Sequence, residues 1–129
     1  MNTTSRILGE SVRPPTESEK THPVWAYYYA RDVIKGSWPE GEPAIATSPK
    51  WAYNYARNIL KRRWPEGEPA IATSPIDAYD YARLVIKGRF PEGEAAIAKN
   101  PYWANKYLNA FPDAKLEWVL NGLIDWTDL

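Results

Sequence analysis

The sequence lacks cysteine entirely and contains a single histidine, His22. The absence of cysteine excludes disulfides and thiolate metal sites, and one histidine is too few for a His-rich metal site. No segment approaches the roughly 18 consecutive apolar residues that a membrane-spanning helix needs. The N-terminal segment also lacks the apolar core of a signal peptide, so the cytoplasm is the expected location.

An excess of charge of either sign is also missing, because 16 Lys and Arg residues balance 16 Asp and Glu residues. Proteins that bind nucleic acids usually carry a basic excess that neutralises phosphates. Nucleic acid is therefore not expected to be the main partner.

Aromatic residues are abundant, with seven Trp and nine Tyr. Large rings packed against alanine can build a core where aliphatic residues are few. We expect this core from about residue 23 onward. Residues 1–22, which include Pro14-Pro15 and several Ser and Thr, are predicted to form a flexible N-terminal arm.

A 26-residue repeat fills most of the chain. Repeat 1 spans residues 23–48, repeat 2 spans 49–74 and repeat 3 spans 75–100. Fourteen of the 26 positions are identical in all three copies, an agreement that chance does not produce. Residues 101–129 are predicted to form a degenerate repeat 4 and a C-terminal capping helix, because the last unit of a repeat array needs a different outer face.

Each repeat is predicted to form two α-helices joined by a turn. The first helix opens with Ser48-Pro49, Ser74-Pro75 or Asn100-Pro101, where an N-cap residue precedes proline at the first helical position. The expected fold class is therefore all-α: a short α-solenoid of tandem helix-turn-helix repeats.

The first helix is predicted to end at Lys35-Gly36 in repeat 1 and at Lys87-Gly88 in repeat 3, with glycine as the C-terminal cap. Arg62 replaces this glycine in repeat 2, so a left-handed cap is not expected to be obligatory. The second helix is predicted to begin at the Pro-Glu-Gly-Glu sequence, where acidic residues favour a helix N-terminus.

A helical wheel divides the first helix of repeat 2 into an apolar and a polar arc. The apolar arc, which we expect to be buried, contains Trp51, Ala52, Tyr55, Ala56, Ile59 and Leu60. The polar arc contains Lys50, Asn54, Asn58 and Lys61. Positions equivalent to Asn54 and Asn58 differ between the copies, as expected of a surface that faces solvent or a partner.

We predict that a binding surface combines these variable positions with tryptophan anchors. Its members are Trp25, Tyr28, Asp32, Trp51, Asn54, Asn58, Asp80 and Leu84. Repeat 3 has Asp77 at the position of the two tryptophans, so the ring is not required there for folding. The alternative is that each tryptophan is partly buried against the adjacent second helix.

A tyrosine and an arginine four residues apart recur on the first helix of each repeat. The pairs are Tyr27 and Arg31, Tyr53 and Arg57, and Tyr79 and Arg83. In one interpretation they are structural, with each arginine clamping the acidic turn of a neighbouring repeat. In the other they form a ladder that binds an anionic or aromatic ligand.

Paired glutamates occur in the Pro-Glu-Gly-Glu turn of every repeat, for example Glu66 and Glu68. A carboxylate pair could serve acid–base catalysis, but an active site is a single special place and these pairs recur in each unit. We therefore expect no enzymatic activity and no cofactor. No unit offers a compact cage of oxygen ligands, so no metal site is expected either.

The motif AYxYARxVIKGxWPEGEPAIA resembles a helical repeat of uncharacterised proteins from tailed bacteriophages and their hosts. The resemblance covers residues 23–111, and it implies an α-solenoid-like stack and a viral origin without any known active site. Small phage accessory proteins often inhibit a host factor or a defence system. The expected function is thus non-catalytic binding and inhibition of a host protein by a monomer, in the host cytoplasm.

Two alternatives remain open at the level of sequence. One is a protein that sequesters a small anionic, nucleotide-like ligand through the tyrosine–arginine ladder. The other is a homo-oligomer that associates through its aromatic surface.

Overall fold

In a computed structural model, the described residues, 14–125, consist of helices and turns and contain no strand. The predicted all-α class is confirmed over this range. The helices are, in chain order, α1 (Glu17–Lys20), α2 (Pro23–Tyr29), α3 (Glu42–Ile45), α4 (Pro49–Asn54), α5 (Glu68–Ile71), α6 (Pro75–Tyr81), α7 (Pro91–Ala98), α8 (Pro101–Ala110) and α9 (Ala114–Leu120).

The first helices of the repeats begin where the sequence predicts, at α2, α4, α6 and α8. Ser48 accepts a hydrogen bond from the Trp51 amide at 3.3 Å, and Ser74 accepts one from the Asp77 amide at 3.4 Å. Proline follows each cap, because its fixed φ suits the first helical position and its missing N–H would be unpaired there anyway.

The ends of these helices differ from the prediction. After α2, α4 and α6 the chain continues in π-helical turns over Ala30–Ile34, Tyr55–Leu60 and Ala82–Ile86. The residue after each π-helical turn is left-handed, and in every case it is a lysine: Lys35 (φ 61°), Lys61 (φ 56°) and Lys87 (φ 61°).

The prediction of a glycine cap at Gly36 and Gly88 was therefore wrong. The π-helical turn lets the amides of both Lys35 and Gly36 donate to the Ala30 carbonyl, so the chain reverses one residue before the glycine. Repeat 2 has the same left-handed lysine although Arg62 follows it. The left-handed turn is thus a property of all three repeats.

The residue at which the second helix of a repeat begins depends on one proline. In repeat 3, which has Ala95 at this position, α7 is continuous from Pro91 to Ala98. In repeat 2 the equivalent Pro69 has no N–H to donate, and α5 begins only after a 3₁₀ turn over Pro65–Gly67. The predicted start at Pro-Glu-Gly-Glu therefore holds for α7, whereas α3 and α5 begin at its last glutamate.

The two helices of each repeat pack closely, and first helices of successive repeats pack on one another, as α4 does on α6 and α6 on α8. Alanines make this possible, since Ala26, Ala52 and Ala78 are completely buried. A Cβ placed on Gly93 would lie 2.8 Å from the Ala78 Cβ and 2.8 Å from the Phe90 ring. Glycine is therefore required at this position of α7 by the approach of α6 rather than by its backbone angles.

Residues 14–22 contain local structure that the sequence did not suggest. Thr16 and Glu19 form a reciprocal capping box at the start of α1. The Thr21 hydroxyl donates to the Ser18 carbonyl at 2.8 Å, just as the Thr47 hydroxyl donates to the Ala44 carbonyl at 2.7 Å. This segment thus repeats the ending of a second helix ahead of repeat 1. The rest of the predicted arm, residues 1–13, lies outside the described residues.

At the other end, α9 packs against repeats 3 and 4. The Trp118 ring stacks on the Tyr107 ring with centroids 5.3 Å apart, and Glu117 accepts a hydrogen bond from Arg89 at 3.1 Å. Residues 126–129 of the predicted C-terminal cap lie outside the described residues.

Candidate functional site

A hydrogen-bonded cluster joins each repeat to the next, and we call it the junction. At the junction of repeats 2 and 3, the Tyr81 hydroxyl accepts a hydrogen bond from the Trp64 amide at 2.8 Å. The same hydroxyl donates to a Glu68 carboxylate oxygen at 2.6 Å. Tyr55 and Tyr107 make the equivalent pairs of bonds at the junctions before and after this one.

The junction glutamates differ in how many donors they receive. Among residues 14–125, the Glu42 carboxylate receives a side-chain hydrogen bond from Tyr55 alone, since Ser37 stands where later repeats have arginine. Glu68 also accepts two bonds from Arg63, both of 3.0 Å.

Glu94 is the most fully paired of the three. It accepts two bonds of 2.8 Å from Arg89, one from Tyr107 and one of 2.9 Å from the Trp118 indole. The number of donors at the junctions therefore increases from the N-terminal to the C-terminal end.

The electrostatics of the junctions follow from burial and from these bonds. Burial would raise the pKa of Glu68, but hydrogen bonds from Arg63 and Tyr81 outweigh it and lower the pKa below its usual value. The pKa of Glu94 is lowered for the same reasons. Burial, followed by the bond to Glu68, raises the pKa of Tyr81 well above its usual value. Ionised glutamate and neutral tyrosine are thus the stable forms.

These contacts overturn the predicted structural role of Arg31, Arg57 and Arg83. None of them bonds to a Pro-Glu-Gly-Glu turn among the described residues: Arg31 pairs with Asp32 at 2.6 Å, and Arg57 donates to the Tyr53 hydroxyl at 3.1 Å. Arg83 lies over the Tyr79 ring. The arginines that do bond to the turn are Arg63 and Arg89, which lie five residues before the glutamates they hold and are therefore already close to them.

The tyrosine–arginine pairs are split between core and surface. Tyr27, Tyr53 and Tyr79 are buried, whereas their arginines are exposed. Asn58 donates to the Tyr27 hydroxyl at 3.0 Å, so this tyrosine also contacts the next repeat. The structure therefore presents a row of arginines with tyrosines beneath them, rather than a ladder of accessible rings.

The two predicted tryptophan anchors are half-buried, in different surroundings. Trp51 packs on Tyr27 of the preceding repeat with centroids 5.1 Å apart, as Trp103 packs on Tyr79 at 5.4 Å. Trp25 has no preceding repeat and stacks on Tyr29 of its own repeat at 4.8 Å. Part of each ring remains accessible.

The variable positions of the predicted binding surface lie on the first helices and their π-helical extensions, and they differ in exposure. Tyr28, Asp32, Asn54 and Asp80 are half-buried, whereas Asn58 and Leu84 are exposed. Burial and the neighbouring Asp77 raise the pKa of Asp80.

Two shallow clefts lie where the C-terminal ends of successive first helices meet. The cleft between repeats 1 and 2, about 340 Å³, is lined by Arg31, Lys35, Gly36, Asn58, Ile59 and Lys61. The cleft between repeats 2 and 3, about 210 Å³, is lined by Ala56, Arg57, Lys61, Leu84, Val85 and Lys87. Lys61 belongs to both clefts, which therefore adjoin, and both have cationic rims. We call them together the basic groove.

Sequence analysis missed both the junctions and the basic groove. The sequence does contain a signal for each. The tyrosine and glutamate positions of the junctions are identical in repeats 1 to 3, and so are the positions of Arg57 and Lys61 in the groove. The pairing itself spans 13 and 17 residues, so only the packing of neighbouring repeats reveals it.

Among residues 14–125 there is no helix with the length and hydrophobicity needed to cross a membrane. The same residues contain no group of three or more His, Cys, Asp or Glu side chains arranged to hold a metal ion. Comparisons with protein-family models, curated proteins and solved structures found no match.

Proposed function

We propose that the chain is a non-catalytic α-solenoid that binds a partner protein along the outer face of its first helices. The observation that carries this proposal is that the junction positions and the positions of the face differ in how much they vary between repeats. The junction tyrosine and glutamate are the same in repeats 1 to 3, whereas the positions of the proposed face differ between copies; that face comprises Tyr28, Asp32, Asn54, Asn58, Asp80 and Leu84. A rigid scaffold with a varied face loses little entropy on binding.

The partner we propose is a host protein that the chain inhibits in the cytoplasm of an infected cell. This part rests on the resemblance of the repeat to proteins of tailed phages and their hosts. Trp25 and Trp51 would serve as anchors at the edge of the face, since large, half-buried rings contribute strongly to protein interfaces.

The test is affinity capture from host lysate with quantitative mass spectrometry. We expect a specific partner with the unmodified chain and a loss of at least about tenfold after combined alanine substitution of Asn54, Asn58 and Leu84. Substitution of three exposed residues away from the face, Lys99, Lys115 and Leu120, is the control. Capture that is unchanged by the face substitutions would exclude the proposed surface, provided that circular dichroism shows the same helicity.

A second candidate is the sequestration of a small anionic ligand. The cationic rims of the two clefts favour it, because Arg57 and Lys61 converge on the smaller cleft. It predicts that one nucleotide of a panel raises the melting temperature of the chain. Arg57→Ala should abolish this shift. Arg83→Ala should retain it, because Arg83 lies outside both clefts. If no nucleotide shifts the melting temperature, this candidate is excluded.

A further inference from the structure

The basic groove has a composition that the fold alone does not require. Arg31 and Arg57 line the groove together with Lys35, Lys61 and Lys87, and all five residues are exposed. Exposed positions elsewhere on the first helices differ between copies, whereas these arginine and lysine positions do not.

The backbone conformation of the groove lysines also indicates that lysine is there for a reason other than folding. Lys35, Lys61 and Lys87 are the only non-glycine residues of the described chain with a positive φ. Glycine or asparagine would adopt this conformation at lower cost. A cation near a helix C-terminus is favourable, but any position in the last turn would serve that purpose. Residues held in sparsely populated conformations cluster at functional sites, as do π-helical turns.

The charge of the groove is available to a ligand. None of the three lysines forms an ion pair with a carboxylate of residues 14–125, whereas Arg63 and Arg89 are both paired. Within the described part of the chain, Asp32 is the one acid paired with a residue of the groove, and it binds Arg31. A partner with carboxylates would complement the remaining cations.

Aliphatic side chains also line the groove between the cationic rims. Ala56, Leu84 and Val85 line the second cleft, and Ile59 lines the first. A nucleic acid would find cations here but no exposed aromatic ring for base stacking. An extended segment that alternates acidic with aliphatic side chains matches both the rims and the floor.

We infer that the basic groove binds an acidic, leucine-rich segment of a partner protein, which runs along repeats 1 to 3. The segment places carboxylates beside Lys35, Lys61 and Lys87 and aliphatic side chains over the two clefts. This inference rests on the proposed function and names the chemistry of the partner.

The test uses fluorescence anisotropy with a labelled peptide of three Glu-Leu-Glu-Ser units and the full chain. The variant K35N/K61N/K87N removes the charges, and asparagine tolerates the left-handed conformation. We expect binding of the peptide by the unmodified chain and a loss of about tenfold or more in the variant. The control variant K50N/K99N/K115N makes the same change in net charge at exposed lysines outside the groove and should change the affinity by less than about twofold.

Three results with the peptides would overturn the inference. They are an absence of peptide binding, equal binding by the groove variant, and equal binding of a twin peptide with glutamine in place of glutamate. Tighter binding of a single-stranded oligonucleotide at the same lysines would show that the class of ligand is wrong. Circular dichroism of both variants checks that the fold is unchanged.

The proposed function is tested separately by presenting the captured partner to both lysine variants. If both retain the partner, the groove inference fails while the proposed binding function stands. If no partner depends on the face residues, the proposed function itself fails.

Discussion

At the residue scale, the junction tyrosine combines two opposite hydrogen-bonding roles. The Tyr81 hydroxyl satisfies the buried amide of Trp64 and donates to Glu68. Buried polar groups that lose their partners are costly, so one oxygen atom here stabilises two otherwise unfavourable groups.

Replacement of this hydroxyl gives a direct measure of its contribution. Tyr81→Phe should lower the free energy of unfolding by about 1–3 kcal/mol, because it leaves the Trp64 amide unpaired in the core. Tyr29→Phe is the matched control, since Tyr29 occupies the same position in repeat 1 and has no equivalent bond among residues 14–125. Urea unfolding followed by circular dichroism measures both. Equal losses at the two positions would show that ring packing, rather than the hydroxyl, matters.

The junctions also predict how stability depends on pH. Because the pKa values of Glu68 and Glu94 are lowered in the folded chain, their contribution is complete above about pH 4.3, the usual glutamate pKa, and is lost as the pH falls below it. Because the pKa of Tyr81 is raised, its contribution is complete below about pH 10 and is lost as the pH rises further.

We therefore expect unfolding free energies that are level between about pH 5.5 and 9 and fall on both sides. Chemical unfolding across this range is the measurement. The double variant Glu68→Gln, Glu94→Gln should be less stable at neutral pH and should show a weaker fall in acid. If the unfolding free energy of the double variant fell as steeply at low pH as that of the unmodified chain, groups other than Glu68 and Glu94 would cause the fall.

At the scale of the helix pair, the turn glycine sets how closely the two helices of a repeat approach. Gly93→Ala should destabilise the chain by about 1–3 kcal/mol, because the new methyl group overlaps Ala78 and the Phe90 ring. Gly36→Ala should have little effect, since nothing lies within 4 Å of the added atom. Thermal or urea unfolding separates the two variants. A stabilised Gly93→Ala would mean that helix propensity outweighs the overlap.

Helix starts and most of the buried positions of the first helices could be predicted from the sequence. Helix starts were predictable because an N-cap and a proline act locally, and the structure confirms them at Ser48 and Ser74. The buried Ala52, Tyr55 and Ala56 also follow from the helical wheel, whereas Tyr53 lies outside the predicted apolar arc and is nevertheless buried.

Other features escaped the sequence because they depend on neighbouring repeats or on subtle backbone choices. The helix ends were missed because a π-helical turn shifts the left-handed residue to Lys35, and glycine is normally the stronger cap signal. The junctions and the basic groove were missed because each is built from two repeats, and a single-repeat pattern contains no information about which faces meet.

At the scale of the whole molecule, equivalent junctions predict that repeats are interchangeable. Deletion of residues 49–74 would join repeat 1 directly to repeat 3 and bring Tyr81 to Glu42. We expect a folded, helical protein that unfolds at lower urea concentration and with a smaller denaturant dependence, because less surface is buried. A deletion of half a repeat, 49–61, removes a first helix and breaks the 26-residue register; it is the control and should unfold the chain. Loss of helicity in the first deletion would contradict a modular stack.

The unequal pairing of Glu42, Glu68 and Glu94 gives the molecule a direction. A junction held by one donor opens more easily than one held by several, so thermal opening should start beside repeat 1 and reach repeat 3 last. Amide protons near Trp38 would then exchange with solvent sooner than those near Phe90. Repeats of nearly identical sequence would thus separate progressively from one end, and the C-terminal half would keep its structure longest.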